Sequence, residues 1–598
     1  MNSLIIGTAG HIDHGKTALI RALNGFEGDQ TKEEKRRGIT IDLSFSHLSR
    51  GEDNIAFIDV PGHENLVKTM ISGAFGFDAC MLVIAANEGV MPQTREHLAV
   101  LNFLGVKSVI LVITKCDLVS REAAENTRDS ALEEIEKYSN LSVVESFLVS
   151  VSDPESITEL KNYLFNLKPR KHDENGIFRY YIDRVFTLKG RGVIVTGSAV
   201  TGAVSKDEKL FCPNTAETYS VRSIEIHDAP VAKALSPNRV ALALAGNCEK
   251  LARGQILSKK GFWRGFREAD VIIEGEPAAD AIFCVGSDQT HARILPIKDN
   301  FYKIKFEKDM FLQFDEPFVL IAEGRVQSGG RVLNPIAEPM KKALLISLLE
   351  RLAARDFEGA FAILAAFHKH GFGLISAWQR FGMMPESATQ IAKNLEGVLV
   401  SEDVACVYGA AARADLRGYI SNLIAKNEFA IFSVSSVVNK LSWASPELAK
   451  EIFASLESEG KIEKKGGVYT KKGVDFEALK ERLEEKILTR IKEGDITPEA
   501  PYNIYDEFDV DRATGDAALK KLTAAKKVVR LEHNLFIAAD ALNAAMTALR
   551  EIIKTQGKAN VTNVKERLGI SRKYALAYLA HLDKFEDIRN ENNDRFFV

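Results

Sequence analysis

The chain has 598 residues, room for about four domains, and its 78 basic and 82 acidic residues leave a formal charge of only −4. That balance excludes a globally basic nucleic-acid binder, so any nucleic-acid face has to be local. No apolar run reaches membrane-spanning length, Met1-Asn2-Ser3 carries no basic region, and the six cysteines (Cys80, Cys116, Cys212, Cys248, Cys284 and Cys406) lack paired metal-ligand spacing, which together predict a soluble, cytoplasmic protein with buried thiols.

The first element is an apolar strand, Leu4-Ile5-Ile6, running into Gly10-His11-Ile12-Asp13-His14-Gly15-Lys16-Thr17 and then a helical segment, Ala18 to Leu23. A glycine, four residues and Gly-Lys-Thr between a strand and a helix make a phosphate loop. Its glycines let backbone N–H groups and the helix N-terminus face phosphate oxygens. Asp13, His14 and Gly15 lie in that curl, Lys16 is placed to reach the β- and γ-phosphates, and Thr17 to put its hydroxyl on Mg²⁺. The expected ligand is a nucleoside triphosphate.

Next comes the basic stretch Lys35-Arg36-Arg37-Gly38-Ile39-Thr40-Ile41, in which Thr40 would complete the Mg²⁺ shell only while the γ-phosphate is present. The strand Ile55-Ala56-Phe57-Ile58 ends in Asp59-Val60-Pro61-Gly62-His63. Here Asp59 is expected to hold Mg²⁺ through water, Gly62 to approach the γ-phosphate, and His63 to orient the attacking water. The strand Val109 to Ile113 ends in Thr114-Lys115-Cys116-Asp117. Asp117 can accept hydrogen bonds from N1–H and the exocyclic amine of guanine, a donor pair that adenine lacks, while Lys115 lays its stem along the base. Thr114 stands where GTPases usually carry Asn. Ser150, after the strand Phe147-Leu148-Val149, is a further base contact. Four segments in this order on successive strand ends predict a doubly wound α/β GTP-binding domain over residues 1–170.

Beyond a polar linker at 169–176 the pattern turns to short alternating β runs punctuated by glycine, read as two or three small β-barrel regions: 177–260 and 265–338, with a break near Gly261 to Glu268. After Pro339 amphipathic helices alternate with brief two-strand endings, such as Gly460 to Tyr469, Val528 to Phe536 and Phe585 to Val598. That outline predicts four tandem winged-helix modules at 340–408, 409–473, 478–540 and 541–598, against the alternative of an undifferentiated helical bundle.

The phosphate loop, Arg37-Gly38-Ile39-Thr40, Asp59-Val60-Pro61-Gly62-His63 and the barrel segment Gly190-Arg191-Gly192-Val193-Ile194-Val195-Thr196-Gly197 are similar to those of translational GTPases of the elongation factor Tu type. Joined to a winged-helix tail, the signature Thr114-Lys115-Cys116-Asp117 resembles the bacterial selenocysteine-specific elongation factor family. The resemblance implies GTP/GDP and Mg²⁺ as cofactors, ribosome-stimulated GTP hydrolysis with His63 as the catalytic residue, and delivery of selenocysteyl-tRNA to the ribosome as a monomer. It also implies an amino-acid pocket of Asp183, Arg184 and Arg239. Selenocysteine is an anion at neutral pH, because a selenol is more acidic than a thiol, and two guanidiniums would suit it better than seryl-tRNA. In the last module, Leu568-Gly569-Ile570-Ser571-Arg572-Lys573-Tyr574-Ala575 carries the sharpest likeness. There Ser571 is expected to cap a helix, with Arg572 and Lys573 set against its dipole to meet phosphates. Tyr574 and Arg589 join them in gripping an mRNA hairpin (SECIS) beside an in-frame UGA codon, and Lys565, Arg567 and Arg595 extend the patch. Two rival readings stay open: a translational GTPase carrying another tRNA, and a regulatory GTPase whose winged helices bind duplex DNA.

Overall fold

A computed structural model describes residues 3–25, 44–51, 53–60, 70–71, 77–168, 176–226, 229–236, 238–427 and 430–598. The chain divides into two compact units, residues 1–363 with 374–394, and residues 364–373 with 395–598.

The first unit opens with a six-stranded sheet of β1 (Ser3–Ala9), β2 (Ser44–Arg50), β3 (Asp53–Asp59), β4 (Ala79–Ala85), β5 (Ser108–Thr114) and β6 (Ser142–Leu148), in the order β2-β3-β1-β4-β5-β6. All neighbours are parallel except the β2–β3 pair, an edge hairpin. Every residue of β4 is buried, as continuous apolar strands covered on both faces must be. Alternation then sorts side chains between two cores. Ile5, Leu82 and Leu111 face one, and Ile6, Val83 and Ile110 face the other with Leu19 and Ile20 of α1 (Lys16–Asn24). Among the described residues, α2 (Pro92–Phe103), α3 (Arg121–Ile135) and α4 (Pro154–Asn166) follow. Among the described residues, the site-forming segments lie at the carboxyl ends of β1, β3, β5 and β6, the edge where ligands bind in such sheets.

The β-rich region resolves into two barrels. In the first, the strands Arg179–Leu188, Gly192–Thr201, Glu217–Ile226, Asn238–Ala245 and Ile256–Ser258 are closed into a ring by Lys209–Cys212, which pairs with both Glu217–Ile226 and Ile256–Ser258. The second is a closed barrel of Phe266–Gly275, Asp280–Val285, Asp288–Lys298, Phe301–Met310, Pro317–Ala322 and Arg325–Asn334. A buried ion pair joins them. Arg179 reaches Glu316 at 2.8 Å, donates to the Tyr181 hydroxyl at 2.6 Å and to the Phe311 carbonyl at 3.0 Å, and lies 4.3 Å from the Trp263 ring. The second barrel also packs on the sheet domain, with Asn102 donating to Glu274 at 3.2 Å and Phe103 so close to Gly329 that an added Cβ would lie 2.5 Å from it.

In the second unit a three-helix, one-hairpin pattern repeats. Helices Ala410–Lys426, Val434–Lys440 and Pro446–Ser458 precede the hairpin Ile462–Lys465/Val468–Lys471. Helices Phe476–Glu493, Pro501–Glu507 and Arg512–Ala524 precede Val528–Glu532/Leu535–Ala538. Helices Ala539–Gln556, Val561–Leu568 and Arg572–Leu582 precede Ile588–Glu591/Asp594–Phe597. These are winged helices rather than a plain bundle. The stretch 340–408 also holds helices and short strands, but the boundary between the units passes through it, with Lys342–Ala353 in the first unit and Leu399–Ser401 in the second.

Candidate functional site

At the end of β1 the chain curls sharply. Gly10 takes φ +131°, and a Cβ there would sit 2.1 Å from the Val83 carbonyl oxygen, so only glycine fits. Asp13 and Gly15 are also left-handed, at φ 63° and 86°. The curl is pinned from below by residues far away in sequence. Gly10 N–H donates to His97 Nδ1 at 2.9 Å, and Ile12 N–H to Gln93 Oε1 at 3.3 Å, both on α2. The His14 ring is fully buried under the loop, with Nδ1 3.3 Å from the Val83 carbonyl and Nε2 3.7 Å from Glu88. Burial pulls the His14 pKa down to about 4 and that of His97 down to about 3, so both are neutral at physiological pH. His14 therefore has its backbone, not its ring, to offer a nucleotide.

Lys16 lies inside the curl, its ammonium donating to the Gly10 and His11 carbonyls at 3.0 and 2.8 Å. Burial lowers its pKa, and the charges of Asp59 and Asp13 oppose that shift. A buried ammonium among backbone N–H groups at a helix N-terminus is a fit receptor for a polyphosphate. Beside it, Thr17 donates its hydroxyl to one oxygen of Asp59 at 2.7 Å, and Thr8 donates to the other at 2.6 Å. A hydroxyl and a carboxylate converging next to the phosphate position form the hard-oxygen donor set that Mg²⁺ takes. Thr40, Gly62 and His63 lie outside the described residues.

At the base end, Asp117 is exposed and accepts the Ser150 hydroxyl at 2.7 Å, which in turn meets Ser152 at 2.7 Å. That bond orients the carboxylate while leaving lone pairs on both oxygens for the two base donors. Lys115, left-handed at φ 56°, pairs with Glu88 at 3.0 Å. The Thr114 hydroxyl is buried and donates to the His14 carbonyl at 2.7 Å, with the Ile84 carbonyl 3.3 Å away. It ties the phosphate loop to the base-reading strand, which explains what a hydroxyl can do where an amide is usual.

Of the three residues expected to form an amino-acid pocket, Asp183 and Arg239 come together on the first barrel. Arg239 pairs with Asp183 and reaches the Thr196 hydroxyl at 3.3 Å, while Thr196 donates to Asp183 at 2.7 Å. Phe45 of β2 covers them from the sheet domain, its ring centroid 3.4 Å from the Arg239 guanidinium and 5.7 Å from that of Arg184. Arg184 is exposed.

In the last module Arg572 and Lys573 occupy the exposed first turn of their helix, but three neighbours differ from expectation. Ser571 holds the N-cap position, yet its side chain makes no capping bond. Tyr574 donates its hydroxyl to the Pro498 carbonyl at 3.0 Å, so it braces the preceding module. Arg595 is buried, held by both oxygens of Asp583 at 2.9 and 2.7 Å, and is no part of a surface patch. Arg589 is exposed, 3.5 Å from Glu591. Lys565 and Arg567 are exposed.

Residues 1–206 match the elongation factor Tu GTP-binding domain, and residues 551–597 match the winged helix of elongation factor SelB. The chain is 40% identical over 264 residues to a selenocysteine-specific elongation factor of Desulfomicrobium baculatum, covering 43% of this chain and 41% of that one. It is 33% identical over 364 residues to the protein of the same description in Escherichia coli (strain K12), covering 58% and 59%. The matched stretches thus span about half the length of these curated relatives. A crystal structure of a bacterial selenocysteine-specific elongation factor, EF-Sec, superposes with a TM-score of 0.70 at 25% identity, covering 100% of both chains.

Proposed function

We propose that the chain is a selenocysteine-specific elongation factor of the elongation factor Tu superfamily, which binds GTP with Mg²⁺ and carries selenocysteyl-tRNA to the ribosome at UGA codons marked by an mRNA hairpin. What carries this reading is one combination: a phosphate loop in an elongation factor Tu type domain, on the same chain as a SelB-type winged helix at residues 551–597. Lys16 and the loop N–H groups receive the phosphates, Thr17 and Asp59 with Thr40 hold the metal, and Asp117 with Ser150 reads guanine. His63 orients the attacking water, and hydrolysis after codon recognition releases the tRNA. The bound Mg²⁺ supplies charge neutralisation on the transferred phosphate.

Asp183, Arg184 and Arg239 form the amino-acid pocket. The support is their clustering and the excess of guanidinium over carboxylate, which suits an anionic selenolate better than a serine hydroxyl. Arg572 and Lys573, with Arg589, are the phosphate-facing residues of the hairpin-binding module. Holding hairpin and tRNA on one chain raises the local concentration of the charged tRNA beside one codon. The protein works as a monomer in the cytoplasm, where translation takes place. The test is a gel-shift assay with the GTP form, a radiolabelled hairpin and selenocysteyl-tRNA. A complex holding both RNAs supports the reading, and binding of an ordinary elongator tRNA with equal strength refutes it.

A further inference from the structure

The strand Arg179–Leu188 changes phase once along its length. Tyr180 and Ile182 point into the core of the first barrel, and the next side chain to do so is Val185, not Arg184. The cause is a β-bulge. Ile182 pairs with Gly197 and Arg184 with Thr196, so Asp183 is one extra residue against a single step of the partner strand. Strict alternation would put Asp183 and Arg184 on opposite faces. The bulge leaves both on the outer face, where the Phe45 ring lies 3.4 Å from the Arg239 guanidinium and 5.7 Å from that of Arg184. Thr196 and Arg239 then hold the Asp183 carboxylate.

The bulge is held from the second barrel. The carbonyl of Ile182, the residue at which the register shifts, accepts the Gly254 N–H at 3.0 Å and the Ser287 hydroxyl at 2.7 Å. Ser287 is buried, and with Gly286 it makes the turn between strands Asp280–Val285 and Asp288–Lys298. Gly286 takes φ +52°, a conformation that tight hairpin turns reserve for glycine, and a Cβ on it would lie 2.7 Å from the Tyr181 ring. The turn therefore sits flush against the residue before Ile182. Tyr181 is also tied to the second barrel through its hydroxyl, which donates to Glu316. At a bulge the ladder is interrupted, so a donor from outside the sheet has most influence on where the next side chains point.

We propose that Ser287 is a positioning residue for the amino-acid pocket. By holding the Ile182 carbonyl it fixes the bulge that turns Asp183 and Arg184 to one face, so the second barrel sets how well the first tells selenocysteine from serine. The proposal rests on the reading of Asp183, Arg184 and Arg239 as that pocket; Ser287 acts through the backbone of the strand.

The full chain in its GTP form is titrated with selenocysteyl- and seryl-tRNA, and protection of each ester from hydrolysis is followed. Ser287→Ala is expected to lower the preference for selenocysteyl-tRNA about threefold to tenfold, the scale of one buried hydrogen bond, with affinities for seryl-tRNA and GTP unchanged. Ser287→Thr, which keeps the hydroxyl, should restore the preference. Adding Ser287→Ala to Arg239→Ala should cost little further discrimination, because both act through one pocket. Wild-type discrimination by Ser287→Ala beside a defective Arg239→Ala overturns the proposal and leaves the pocket standing. Equal loss for both tRNAs, or losses that add fully in the double variant, overturns it as well. Unchanged discrimination by Arg239→Ala itself marks failure of the pocket reading, and this proposal falls with it.

Discussion

Removing the Arg239 guanidinium tests the amino-acid pocket most sharply. Asp183 and Arg239 are both largely buried, with side chains 12% and 14% exposed, so their charges act in a partly dry site. A selenolate about 4 Å from a guanidinium, at an effective dielectric near 20, gains about 4 kcal/mol. Asp183 already neutralises part of that charge and Thr196 shares it, which brings the expected contribution to about 1.5–3 kcal/mol, or roughly tenfold to a hundredfold in affinity. Arg239→Ala should therefore reduce the preference for selenocysteyl- over seryl-tRNA by that factor, while Arg239→Lys keeps the charge, loses the fork and falls between. The assay is protection of each aminoacyl ester from spontaneous hydrolysis by the GTP form, titrated with protein. Thermal unfolding of the variant is run beside it, because Asp183 is left with fewer partners. Equal loss for both tRNAs, or unchanged discrimination in a folded variant, would remove the pocket from the account.

Other perturbations probe the rest of the first unit. Gly10→Ala forces a Cβ against the Val83 carbonyl at a left-handed position, and should weaken fluorescent GDP binding by at least about 2 kcal/mol, roughly thirtyfold; wild-type affinity would refute the strained-loop argument. Arg179→Leu alone leaves the Glu316 carboxylate buried without a counter-charge, costing about 3–5 kcal/mol, whereas adding Glu316→Leu should return part of it; chemical denaturation in which the double variant is no more stable than the single one contradicts this. His14 and His97 are held neutral in the fold, near 4 and 3, against 6.5 when unfolded. Since the unfolded chain binds protons first, stability is full above pH 6.5 and falls as pH drops toward 4, by about 3 kcal/mol for His14 alone. A melting temperature of the first unit that is flat from pH 7 to 4.5 would contradict that sign.

Local chemistry was legible in the sequence, and long-range chemistry was not. The phosphate loop could be read because a curl between a strand and a helix is set by glycines a few residues apart. Its supports could not: His97 and Gln93 reach Gly10 and Ile12 from 87 and 81 residues away. Thr114 read as a weakened base contact because only the fold brings His14 O within its reach. In the tail, charge in the sequence suggested that Arg595 joins the surface patch, and the fold instead turns it inward onto Asp583, twelve residues earlier. Tyr574 likewise found a partner in another module, which no helical periodicity encodes. The two barrels emerged from alternating runs, but the closing role of the short strand Lys209–Cys212 depends on pairings with both neighbours.

The central claim is that Asp117, steered by the Ser150 hydroxyl, makes the phosphate-loop domain specific for guanine. Equilibrium titration of the purified chain with GTP and with ATP, each with Mg²⁺, tests it directly. A site built to hydrogen-bond the donors of one base should favour GTP by at least about a thousandfold. Comparable affinity for the two nucleotides would contradict the account.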